Sequence, residues 1–172
     1  MDRGYVQVYT GNGKGKTTAM IGLAIRASGA NLRVYIGQFI KSIEYHEVAV
    51  IKKHLPNITV ELYGLGRTLE RKPAEEDVQA AKIGLEKVRD AIFSGKYDVV
   101  VMDEVNIALY LKLLDVSNVL ELIHTKPSNV ELVLTGRFAP PEIIDVADLV
   151  TEMTEVKHYY ENGISARDGI ER

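Results

Sequence analysis

One short run, Thr10–Thr18 (TGNGKGKTT), gathers three glycines, two lysines and three threonines. Such a run suits polyphosphate binding. Glycines let a chain turn tightly, so that backbone N–H groups point at phosphate oxygens. A lysine adds a point charge, and a hydroxyl can ligate Mg²⁺. The phosphate-loop pattern is G-x-x-x-x-G-K-[ST]. Gly15, Lys16 and Thr17 fit it, and Thr10 replaces its first glycine. Gly11 and Gly13 still permit a tight turn, and the backbone N–H groups around Gly13–Thr17 are expected to face inward. Thr10, Gly11, Asn12, Gly13, Lys14, Gly15, Lys16, Thr17 and Thr18 are therefore the expected nucleotide-binding residues. A second chemical pair, Asp103-Glu104, ends the apolar run DVVVM. An acid at that point beside a phosphate loop organises Mg²⁺. Thr17, Asp103 and Glu104 form the expected metal set. These features imply nucleotide binding. Hydrolysis, phosphoryl transfer and attack elsewhere on ATP all remain open.

The elements that must position these residues alternate between strand and helix, which implies an α/β fold with a mainly parallel sheet. Tyr5–Tyr9 reads as the first strand, followed by a mostly apolar, buried helix over Lys16–Ser28. Arg33–Phe39 is the second strand, Ile43–His54 a helix and Ile58–Leu62 a short third strand. Ala74–Phe93 is the clearest helix: Val78, Ala81, Leu85, Val88 and Ile92 share one face. Asp98–Met102 reads as a strand buried on both faces. Ser117–Thr125 is a helix, Val130–Thr135 a strand, Pro141–Ala147 a short helix and Leu149–His158 a last strand. Two strands separate the first strand from Asp98–Met102 in sequence, which favours a RecA-like sheet.

The chain has 172 residues, enough for one domain over 1–172 with a substantial core. It lacks cysteine, so neither disulfides nor thiolate-bound metal can occur. With 21 basic and 24 acidic residues, its net charge of −3 argues against nucleic acid as a partner. No apolar run approaches the ~18 residues of a membrane span. Met1–Gly4 runs directly into the first strand and is read as leaving no room for a signal peptide. A cytoplasmic location is expected.

Several segments together resemble the ATP:corrinoid adenosyltransferases of the CobA/BtuR (CobO) type. They are TGNGKGKTT, QFIK (Gln38–Lys41), MDE (Met102–Glu104), TGR (Thr135–Arg137), ADLVTEM (Ala147–Met153), VKH (Val156–His158) and GISARDGIE near the end. They occur in the family's order across almost the whole chain. The resemblance implies a RecA-like P-loop fold with a mostly parallel six-stranded sheet flanked by helices, and a homodimer. It implies transfer of the 5′-deoxyadenosyl group of ATP to cobalt in a reduced corrinoid, cob(I)alamin or cob(I)yrinic acid a,c-diamide, with release of tripolyphosphate. Mg²⁺ would be held by Thr17 and by the acid of MDE, chiefly Glu104. A reductase supplying electrons through reduced flavin is compatible with this scheme. Lys16, Lys41, Glu104 and Arg137 are the expected catalytic group, with Lys41 and Arg137 on phosphate or nucleotide. The competing readings are a RecA-like ATPase and a non-catalytic ATP-binding protein. One departure stands out. Where the family follows its G-x-G loop with an aromatic pair, this chain reads Gly64-Leu65-Gly66-Arg67-Thr68-Leu69-Glu70. Tyr63, Leu65 and Leu69 are the bulky apolar residues nearby.

Overall fold

A computed structural model describes residues 1–66 and 72–171. Arg67, Thr68, Leu69 and Glu70 of the departing loop lie outside the described residues. Six strands form one sheet: β1 (Val6–Thr10), β2 (Val34–Gln38), β3 (Ile58–Leu62), β4 (Val99–Asp103), β5 (Glu131–Thr135) and β6 (Leu149–Glu152). Their spatial order is β3-β2-β4-β5-β1-β6, and every pairing is parallel. The expected RecA-like arrangement is present: β5 lies between the phosphate-loop strand β1 and the acid-bearing strand β4. The carboxyl ends of β1, β2, β4 and β5 therefore open onto one edge, where parallel α/β sheets bind ligands.

The helices are α1 (Lys16–Gly29), α2 (His46–His54), α3 (Glu75–Phe93), α4 (Val105–Tyr110), α5 (Val116–Thr125) and α6 (Pro141–Val146). The apolar strands are buried because helices cover both faces. On one face Met20 and Ala24 of α1 and Val48 and Ile51 of α2 pack with Ile36, Val101 and Val133. On the other, Leu85, Val88 and Ile92 of α3 and Leu122 of α5 pack with Val8, Val100, Leu132 and Leu134. The α3 face is the one its periodicity predicts. Glu75, Glu76 and Asp77 fill its first turn, and Asp77 Oδ2 accepts from Ala74 N–H at 2.9 Å.

Three expectations change. Helix α1 is not buried all round, because only one helical layer covers each sheet face; Ile25 is 48% exposed. Helix α4 is not foreseen from the sequence, since six residues are too short to display a helical period. The last strand ends at Glu152 rather than His158. Beyond it the chain leaves the sheet and makes a single 3₁₀ turn over Tyr159–Asn162.

Candidate active site

The phosphate loop links β1 to the N-terminus of α1. Gly15 has φ 121°, and the first turn of α1 carries no acidic residue and no side-chain cap. Its open N–H groups and the helix dipole together favour an anion. Lys16 is 6% exposed and spans the loop interior, donating to Gly11 O and Gly13 O at 2.7 Å each. Burial lowers its pKa, and Glu104 is the largest opposing influence. A second layer clamps the loop from β6. Gly13 N–H donates to Met153 O at 2.7 Å, and Met153 N–H donates to Thr10 O at 2.9 Å. A Cβ on Gly13 would sit 2.7 Å from Met153 O. The Gly13 N–H is thus turned away from the loop interior, unlike the expectation, because the exit of β6 takes it.

Asp103 is the hub of the site. It is fully buried, and four donors surround its carboxylate. Thr135 Oγ1 donates to Oδ1 at 2.7 Å, and Thr17 Oγ1 donates to the same oxygen at 3.1 Å. Gln38 Nε2 at 2.9 Å and Lys41 Nζ at 3.0 Å donate to Oδ2. The parallel register places Gln38 beside Asp103, so β2, β4 and β5 each contribute to the hub. Sequence reasoning misses Gln38 and Thr135 as site residues. Their signal is that each is a polar side chain at the end of a strand whose inner positions are apolar. With its lone pairs so occupied, Asp103 orients Thr17 and Lys41.

Glu104 differs. Its backbone is left-handed, with φ 61°, and its N–H donates to Thr135 Oγ1 at 2.9 Å. Burial raises its pKa and the Asp103 charge raises it further, while Lys41, Lys16 and Arg137 oppose the shift. Ile40 has φ 67° and Phe138 φ 61°. These uncommon conformations fall just beyond the carboxyl ends of β4, β2 and β5. At Ile40, Lys41 N–H donates to Phe39 O at 2.6 Å, the strained form of γ-turn. Backbone strain of this kind concentrates where side chains must be aimed.

Lys41 lies between Asp103 and Thr17, with Nζ 3.5 Å from Thr17 Oγ1. Burial is the largest influence and works against its charge, but Asp103, by charge and hydrogen bond, together with the Glu104 and Glu47 carboxylates, outweighs it, so the pKa is raised. Arg137 follows β5 on the same edge, is exposed, and its charge acts on both Lys16 and Glu104. Among the described residues no cluster of three or more His, Cys, Asp or Glu could hold a metal by itself. A hydroxyl and one carboxylate, completed by phosphate oxygens and water, still suit Mg²⁺ as it is bound with nucleotides. His158 precedes the 3₁₀ turn over Tyr159–Asn162, and its Nδ1 accepts from Tyr160 N–H at 3.0 Å.

Two cavities meet here. One, of about 360 Å³, is lined by Thr17, Thr18, Lys41, Tyr45, Glu104 and Glu171, among others. The other, of about 310 Å³, is lined by Ile40, Lys41, Ser42, Ile43, Tyr45, Gly66 and Glu104. They share Lys41, Tyr45 and Glu104.

Residues 2–172 match the family model for ATP:corrinoid adenosyltransferase BtuR/CobO/CobP. The chain is 35% identical over 171 residues to a corrinoid adenosyltransferase of Pseudomonas aeruginosa, covering 99% of this chain and 84% of that one. It is 37% identical over 174 residues to the enzyme of that name from a Sinorhizobium species, covering 99% and 81%. It is 32% identical over 171 residues to corrinoid adenosyltransferase CobA of Salmonella typhimurium, covering 99% and 86%. With the phosphate loop, the Asp103 hub and the RecA-like strand order in place, the match over almost its full length means that this chain belongs to the ATP:corrinoid adenosyltransferase family.

Proposed function

We propose that this protein transfers the 5′-deoxyadenosyl group of ATP to the cobalt of a reduced corrinoid and releases tripolyphosphate. The observation that carries this reading is the pair of adjoining cavities that share Lys41, Tyr45 and Glu104. One contains the start of α1 and suits a triphosphate. The other is an opening beside it at which one face of a larger second substrate can approach. A hydrolase needs only the first.

In this reaction the electron pair of Co(I) forms the Co–C5′ bond. The C5′–O bond breaks, and its electrons leave on the tripolyphosphate oxygen. Cobalt is a strong nucleophile in that state, so no general base is required. The protein must align C5′ and stabilise charge on the leaving group. Lys16 and the N–H groups opening α1 hold phosphate oxygens. Arg137 and Lys41 add charge at the sheet edge. Mg²⁺, when bound, neutralises phosphate charge; Thr17 and Glu104 are the residues to hold it, with Asp103 orienting Thr17 from behind. A homodimer, and electrons delivered through reduced flavin, complete the proposed system. No helix among the described residues is long and apolar enough to cross a membrane.

The test is to incubate the protein with MgATP and chemically reduced cobalamin and follow the corrinoid spectrum. The expected outcome is an adenosylated corrinoid with stoichiometric tripolyphosphate. Orthophosphate release without adenosylation overturns the proposal and favours an ATPase.

A further inference from the structure

Residues 159–171 run back across the phosphate loop and meet it at Lys14. The Lys14 ammonium has three donors. They are spent on Glu171 Oε1 at 2.8 Å, Ile170 O at 3.1 Å and Tyr159 OH at 3.2 Å. All three partners belong to this segment. Glu171 is in turn fixed by Arg167, whose backbone N–H donates to Oε2 at 2.8 Å and whose Nη2 donates to Oε1 at 3.2 Å. Tyr159 OH also donates to Glu171 Oε1. The Arg167 guanidinium lies 5.0 Å from the Tyr159 ring centre.

Apolar burial does not hold this segment down. Residues 160–170 are all exposed, including Ile164 and Ile170. The polar cluster around Glu171 joins it to Lys14 of the phosphate loop. Yet Ile170 and Glu171 line the 360 Å³ cavity together with Thr17, Thr18 and Glu104. The segment therefore walls the cavity, and Lys14 links it to the phosphate loop.

We propose that residues 159–171 form a strap that closes the nucleotide cavity, with Lys14 as its tether and Glu171 as the positioning residue that holds Lys14. Lys14 thus differs from Lys16. Lys16 faces the loop interior, whereas Lys14 faces outward and has no donor left for phosphate while the strap is docked. The strap slows escape of a nucleotide seated against Thr17 and Thr18. This inference rests on the phosphate loop being the nucleotide site.

The experiment uses the full chain and two readouts, amide hydrogen exchange of 159–171 without ligand and ATP affinity by calorimetry without corrinoid. The variants are Lys14→Met, Glu171→Gln and the double variant. Each single change is expected to speed exchange in the strap by about tenfold, as loss of charge-assisted hydrogen bonds should. Each should weaken ATP binding several-fold, and the double variant should be no worse than either single one. Glu171→Asp should recover part of both losses. Unchanged exchange in the single variants overturns the tether. Tighter ATP binding by Glu171→Gln also overturns the proposal, because the carboxylate would then be a competitor for Lys14 rather than part of a closure. Lys16→Ala serves as the control: wild-type ATP affinity in that variant overturns the phosphate-loop reading itself, and with it cavity closure, while the exchange result still decides the tether.

Discussion

Lys16 and Glu104 carry different burdens, and their variants should fail differently. Lys16 is buried within the loop and holds two of its carbonyls. Lys16→Ala removes both the charge and this internal brace, so ATP binding should fall by at least about a hundredfold. Calorimetry with MgATP checks it. Glu104 should act on metal more than on nucleotide. Its pKa is raised by burial and by Asp103. Only the deprotonated carboxylate can ligate a cation, so metal affinity is present above this raised pKa and is lost as pH falls through it. Mn²⁺ titration in the presence of ATP should therefore weaken at a higher pH than for an ordinary glutamate, whose pKa is about 4.3. Glu104→Gln should weaken Mn²⁺ binding, abolish this pH step and leave metal-free ATP affinity nearly unchanged. Retention of the pH step in Glu104→Gln would remove the residue from the metal set.

At the scale of elements, the site is made by strand ends and by the turns that leave them. The turn after β2 is held by the turn after β3. Gly64 N–H donates to Lys41 O at 3.1 Å, and Gly66 N–H donates to Ile40 O at 3.2 Å. A Cβ on Gly64 would lie 1.9 Å from the Ile40 carbonyl carbon. Gly64→Ala must push the 40–41 backbone away and carry Lys41 off Asp103. We expect a loss of about 1–3 kcal/mol in stability from overpacking. A drop in adenosyl transfer of about a hundredfold should accompany it, since displacements near 1 Å are that costly to aligned chemistry. Denaturant melts and single-turnover rates at saturating ATP measure the two effects; an unchanged rate would separate this turn from the site. The same strand ends show which parts of the site are legible in the sequence. The phosphate loop and the Asp103-Glu104 pair are, because local spacing encodes a strand, a tight turn and a helix start. Gln38 and Thr135 are not. Each joins Asp103 only through sheet register, over sequence separations of 65 and 32 residues. The left-handed backbone at Glu104 and Ile40 has no local signal either, as neither residue type favours it. Six strands are recognisable from their apolar runs, whereas α4 and the early exit from β6 depend on tertiary packing.

Across the whole molecule, the sheet's two edges have separate roles. Its carboxyl edge carries strain and buried charge: Glu104 and Ile40 in left-handed conformations, and Asp103 crowded by donors. The amino edge is tied for stability. There Asp98 Oδ2 accepts from Arg33 N–H at 2.8 Å and from Arg33 Nε at 3.2 Å, joining the starts of β2 and β4. The backbone hydrogen bond from Arg33 lowers the Asp98 pKa, its guanidinium lowers it further, and burial opposes both. A depressed carboxylate adds stability that is complete above its unfolded pKa of about 3.9 and is lost as pH falls through the lower folded value. Asp98→Asn should cost about 1 kcal/mol at neutral pH, a fall of roughly 2–4 °C in Tm for a domain of this size. It should also flatten the acid limb of the stability curve. Because Asp98 lies a full strand length from the loop, ATP affinity and the transfer rate should stay at wild-type values. The opposite pattern is expected of Thr135→Val, which removes a donor to Asp103 and the acceptor for Glu104 N–H. That variant should lose transfer activity well in excess of its loss of ATP affinity. Thermal melts across pH 3–8, run beside transfer assays on both variants, decide the matter. An activity loss in Asp98→Asn matching that of Thr135→Val would mean that the two edges are coupled through the sheet rather than divided between stability and chemistry.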